Sequence, residues 1–113
     1  MPTQTAVLDR EQLRNVTMDD PELMTELISA LIDDTARQLV CLHQAVERAD
    51  GSECARVAHY VKGACANVGA AGMSAILKDI EHHAAEGKFN TCKDVLEQLD
   101  REFERLQVES HSL

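Results

Sequence analysis

The sequence has 113 residues, 44% of them hydrophobic but only 3% aromatic, with no Trp, two Pro and five Gly. That length suits one domain, 1–113 with a core of about 8–107, and the wealth of Ala, Leu, Glu and Arg excludes a strand-built protein. Twenty acidic residues against eleven basic, a formal net charge of −9, exclude a nucleic-acid or anionic-lipid surface, because phosphate contacts need clustered Lys and Arg.

The first helix signal is short. Asp9 can cap it, Gln12 stands three residues later as in a capping box, and Leu8 with Leu13 can form a hydrophobic staple. It is predicted to end near Val16. Asp20 then caps a long helix with Pro21 at its first position, where the missing N–H costs nothing. Met24, Ile28, Leu31, Thr35, Leu39, Leu42, Val46 and Ala49 recur there at steps of three and four, and Asp50-Gly51 closes it. Ser52 is predicted to cap the next helix, whose inward stripe is Cys54, Val57, Ala58, Val61, Cys65 and Val68. Gly69 and Gly72 stop it. Another follows with Met73, Ile76, Leu77, Ile80 and Ala84 inward, ended by Gly87. Asn90 or Thr91 starts the last, which carries Cys92, Val95, Leu96, Leu99, Phe103 and Leu106 before a frayed tail, QVESHSL.

Four amphipathic helices on short loops must bury their stripes on one another. The expected fold is all-α: an antiparallel up-down four-helix bundle with a short additional N-terminal helix covering one end. No stretch approaches the roughly 20 apolar residues of a membrane span. The N-terminus lacks a basic region followed by an apolar run, so no signal peptide is predicted. Cys41, Cys54, Cys65 and Cys92 show no paired spacing, which predicts reduced thiols and a cytoplasmic location. The initiating Met and short tails suggest a free-standing protein.

The stretch ARVAHYVKGACANVGAAG raises the functional question. At about 100° per residue, His59 points roughly 140° from Cys54, outside an apolar stripe that spans about 60° either side. Its neighbours one turn away are Ala55, Lys62 and Gly63, and Ala66 lies two turns on. The histidine is therefore accessible, ringed by methyl groups, bare backbone and one ammonium. A helix-interior glycine such as Gly63 costs up to about 1 kcal/mol relative to Ala, which close approach of another group at His59 would offset. An exposed imidazole nitrogen beside a cation suits phosphoryl acceptance, the lysine offsetting phosphoryl charge. A solvated surface histidine is the competing reading.

The segment AHYVKGACANVGAAGMSAILKDIE resembles the signature of histidine-containing phosphotransfer (HPt) domains, whose active helix reads roughly A-H-x-L-K-G-[SA]-[SA]-x-x-[LV]-G-A. A helix ending in a Leu/Ile-Glu pair follows it in that family. Ala58, His59, Val61, Lys62, Gly63, Ala64, Asn67, Val68, Gly69, Ala70, Ile80 and Glu81 fall in place. Val61 replaces the commoner leucine, and Cys65 stands where Ser or Ala is usual. The likeness extends more loosely from Leu8 to about Leu106.

The resemblance implies a phosphorelay carrier. His59 would take a phosphoryl group on its outer ring nitrogen from a receiver-domain aspartate and pass it to another receiver. Lys62 would support the phosphoryl group. Gly63 would admit the receiver's active site, with small residues such as Ala55 and Ala66 as docking surface. The receiver would supply the acidic cluster, the Mg²⁺ and a lysine, so no cofactor is expected in this chain. Expected partners are response-regulator receivers or a hybrid histidine kinase, with the chain a monomer and not itself an enzyme. If the next helix packs antiparallel beside His59, Glu81 can orient its other ring nitrogen; a solvated carboxylate or an interhelix hydrogen bond competes with that role.

Two further readings belong to other classes. The chain could be a helical adaptor or inhibitor of receivers that lacks phosphotransfer, although His59, Lys62 and Gly63 are intact. Asp79, His82, His83 and Glu86 share one helix face at spacings that can bind a transition metal, yet no second helix contributes and no metal is expected. A kinase acting alone is excluded by length.

Overall fold

The computed structural model describes residues 6–113; the first five residues of the expected domain lie outside the described ones. Five helices follow in order: α1 (Arg10–Val16), α2 (Pro21–Glu47), α3 (Gly51–Val68), α4 (Ala71–Ala85) and α5 (Phe89–Ser110). Among the described residues there is no strand. The connections 48–50, 69–70 and 86–88 are too short to do anything but reverse the chain. The four long helices therefore form an up-down ring in which α3 lies between α2 and α4, and α5 closes it against both α2 and α4.

The buried stripes are those predicted, except that Met24 and Ile76 are only half-buried at the edge of the core. Ile28, Leu31, Leu39, Leu42 and Val46 of α2 meet Cys54, Val57, Ala58, Val61, Cys65 and Val68 of α3. Met73, Leu77, Ile80 and Ala84 of α4 and Cys92 to Leu106 of α5 complete the core. All four cysteines are free, and Cys54, Cys65 and Cys92 are buried as small apolar residues. Burial pushes the Cys65 thiol up to about 12 and the Cys54 thiol up to about 11. Ala49, expected inward, is exposed and adopts a left-handed φ of 54° just past the end of α2.

Several helix ends differ from expectation for local reasons. Asp50, not Ser52, caps α3: its carboxylate accepts from the Glu53 backbone N–H at 3.1 Å, so Gly51 is already helical. Gly69 ends α3 in the left-handed conformation, φ 89°, but Gly72 lies inside α4 and is buried. α5 starts at Phe89 without a side-chain cap. The tail expected to fray is helical to Ser110, held to α1 by Arg10, which donates to Glu109 at 2.7 Å and to the Ser112 hydroxyl at 2.6 Å.

Helix lengths explain the short first helix. At 1.5 Å per residue α2 runs about 40 Å and α5 about 33 Å, against about 27 and 23 Å for α3 and α4. The two long helices overshoot the α3–α4 turn and leave an open end to the core. α1 plugs it with Leu13 and the preceding Leu8, both buried. The Asp9 N–H donates to the Gly69 carbonyl at 2.7 Å, and the Gly72 N–H donates to the Ala6 carbonyl at 3.0 Å. Both leucines of the expected staple are buried, but only half of the capping box forms. Asp9 accepts from the Gln12 N–H, while the Gln12 amide crosses to the Ala66 carbonyl at 2.6 Å.

Candidate functional site

His59 sits near the middle of α3 on its outer side, its side chain 70% exposed. The rotation that buries Val57, Ala58 and Val61 carries His59 out toward the α4 edge of the helix and Tyr60 toward α2. Tyr60 is anchored there, its hydroxyl donating to Asp34 at 2.6 Å.

Glu81 of α4 joins the site across the helix–helix groove. One carboxylate oxygen, Oε2, lies 3.1 Å from His59 Nδ1, and the other, Oε1, accepts from Lys62 Nζ at 2.7 Å. Lys62 and Glu81 are 26% and 29% exposed, so both are half-sunk where His59 is not. An ionised carboxylate only accepts hydrogen bonds, so Nδ1 must carry the proton it shares with Glu81. In the neutral ring the lone pair then resides on Nε2, which faces solvent. The Lys62 hydrogen bond, with its charge and His59 adding to it, holds the Glu81 carboxyl below the usual carboxylate range. Being lowered on folding, that group contributes stability above its unfolded value of about 4.3 and loses it as pH falls through the folded one. E81Q is therefore expected to cost up to about 1 kcal/mol at pH 7. In paired urea melts the gap from the parent should close below pH 3; a gap that widens in acid would contradict the pairing.

The structure places each predicted residue as follows. Ala55 and Ala66 flank the histidine on the outer side of α3, half-buried and exposed respectively. Gly63 is exposed, and a Cβ built on it meets nothing within 4 Å. Among the described residues nothing from another element comes within 4 Å of that position, so the clearance serves no packing contact there. Among the described residues, no three His, Cys, Asp or Glu side chains gather closely enough to hold a metal, and the Asp79–Glu86 row is no exception. His43 of α2 meets Asp100 of α5 at 3.0 Å.

Sequence reasoning missed three contacts, two made by the His59 helix and one at the start of α4. Gln12 caps the end of the His59 helix from α1, and the only local signal was its three-residue spacing from Asp9. Tyr60–Asp34 pairs residues on separate helices and has no local signature. Glu102, on the stripe side of α5, is 6% exposed and packs against Gly72; a charged residue there reads as a solvated one.

The bundle thus presents one imidazole on its outer surface, oriented by a carboxylate from the neighbouring helix. The sequence profile of the Hpt domain matches residues 26–109, which include His59, Lys62, Gly63 and Glu81, and the chain belongs to that family of phosphorelay histidine phosphotransfer domains. The crystal structure of histidine-containing phosphotransfer protein B (HptB) from Pseudomonas aeruginosa PAO1 superposes with a TM-score of 0.88 over 96% of this chain and 95% of that one, at 24% identity. That likeness shows the same fold. No curated protein matches the chain. Among the described residues no helix is long and apolar enough to cross a membrane.

Proposed function

We propose that His59 is the phosphoacceptor, taking a phosphoryl group on Nε2 from the aspartyl phosphate of a receiver domain and passing it to another receiver. The observation that carries this reading is the shared carboxylate of Glu81, which holds Nδ1–H and leaves Nε2 free and exposed. The Nε2 lone pair forms the N–P bond as the P–O bond to the aspartate breaks, and the carboxylate leaves with the bonding pair. The ring then carries positive charge with its proton still on Nδ1, and Glu81 faces that charge directly. Lys62, one turn along α3, supplies positive charge to support the phosphoryl oxygens. Catalysis of the step, including the Mg²⁺, falls to the receiver.

The test is transfer in both directions. A labelled receiver incubated with the chain should yield acid-labile, alkali-stable label on His59, which then chases to a second receiver. Label that never reaches the chain, or that resides elsewhere on it, overturns the reading.

Gly63 supplies a second prediction. Alanine fits there without contact and is the better helix former, so G63A should stabilise the fold by up to about 1 kcal/mol. If its clearance admits the receiver, the same variant should slow transfer several-fold. A variant both more stable and equally fast would remove Gly63 from the docking surface.

A further inference from the structure

A shallow groove of about 330 Å³ opens beside Lys62, between α3 and α4 and walled at one end by α1. Gln12, Lys62 and Lys78 reach its rim, and Ala66, Ala71 and Ala75 leave it open. Its α1 wall lies outside the residues 26–109 that the family shares.

The charges around His59 are unequal on its two sides. Toward α2, Arg37 is paired with Asp34, Arg56 with Glu53, and the Tyr60 hydroxyl with Asp34. Toward α4, Lys62 is taken up by Glu81. Lys78, one turn before Glu81 on α4, is exposed and makes no ion pair among the described residues. In a chain of net charge −9, most of the surface repels an acidic partner. Lys78 puts an unneutralised cation at the rim of a groove that reaches Lys62, one turn along α3 from His59.

We infer that this groove selects the partner, Lys78 taking an acidic side chain on the docking face of the receiver that closes over His59. The inference rests on the phosphotransfer reading above and adds the contact that recognises the receiver. An exposed cation of this kind acts on encounter and salt dependence more than on the chemical step. The small residues of the floor let the opposing side chain approach without displacing anything of this chain.

The experiment uses the full chain, phosphorylated, with the receiver that it labels fastest among those of its organism. Initial transfer rates are measured against receiver concentration at low and physiological salt. K78E should raise the half-saturating receiver concentration about tenfold at low salt, with the maximal rate within twofold of the parent and a flatter salt dependence. K78R should behave as the parent. K93E, the same charge reversal on α5, should change the half-saturating concentration less than twofold. A75W should raise it by filling the groove. Half-saturation unmoved by K78E overturns the inference while leaving His59 its role, and a fall in maximal rate alone would make Lys78 part of the chemistry instead. A parent chain that passes label to no receiver overturns the reading beneath.

Discussion

H59Q is expected to fold as the parent does and to take up no phosphoryl group. Glutamine has no nucleophilic nitrogen, because the amide lone pair is delocalised into the carbonyl, so the loss should be complete rather than partial. The stability change should stay within about 0.5 kcal/mol, since the side chain it replaces is largely exposed and packs against nothing large. A glutamine N–H can still reach Glu81, so Lys62 and Glu81 keep their pairing. The chain offers four other histidines: His43, His82, His83 and His111. Among the described residues none of them has a ring nitrogen held by a carboxylate that a lysine also bonds, as His59 does. Mass spectrometry of labelled peptides reads the result. Acid-labile phosphate persisting on H59Q, on any of the four, would reassign the acceptor.

G69A is expected to destabilise the fold strongly, by about 2–4 kcal/mol. Two costs combine at this position. Gly69 holds φ at 89°, where an L side chain is strained by about 1 kcal/mol or more. A Cβ built there also falls 2.7 Å from the Asp9 carbonyl oxygen, a backbone atom that cannot swing aside. Relief requires α1 to move away, which breaks the 2.7 Å Asp9–Gly69 hydrogen bond and lifts Leu13 and Leu8 from the open end of the core. A thermal melt should fall by roughly 10 °C or more, given several degrees per kcal/mol in a domain of this size. Hydrogen exchange should show α1 and the last turn of α3 losing protection first. A melt within 2 °C of the parent would mean that α1 contributes little to the fold. The contrast with G63A is instructive: both glycines belong to the same motif, yet one is required by this chain's own packing and the other is not.

Helix order, inward stripes and the outward direction of His59 were legible because each is a property of one segment. Cys54 to Val68 repeats its apolar residues at helical spacing, and every one of them is buried. Capping was legible where a second signal fixed the register, as at Asp20, where Pro21 marks the first helical position and rules out the adjacent Asp19. Between Asp50 and Ser52, both able to cap, backbone geometry at the α2–α3 turn chose Asp50. Gly69 and Gly72 looked alike as helix stops. One is a left-handed terminus, and the other is packed so closely on buried Glu102 that its missing Cβ makes room for a carboxylate. The tail QVESHSL, without an apolar period of its own, owes its order to Arg10 at the far end of the chain.

By itself, then, the sequence determined an acidic helical bundle and an accessible histidine one turn from a lysine and a glycine, because the angle between residues of one helix is a local constant. Only the tertiary structure decided that Glu81 bridges His59 and Lys62, that Gln12 caps the histidine's helix, and that Lys78 makes no ion pair among the described residues. Those outcomes depend on the offset and rotation of separate helices, which are set by how all the stripes pack together and by no single stretch of the chain.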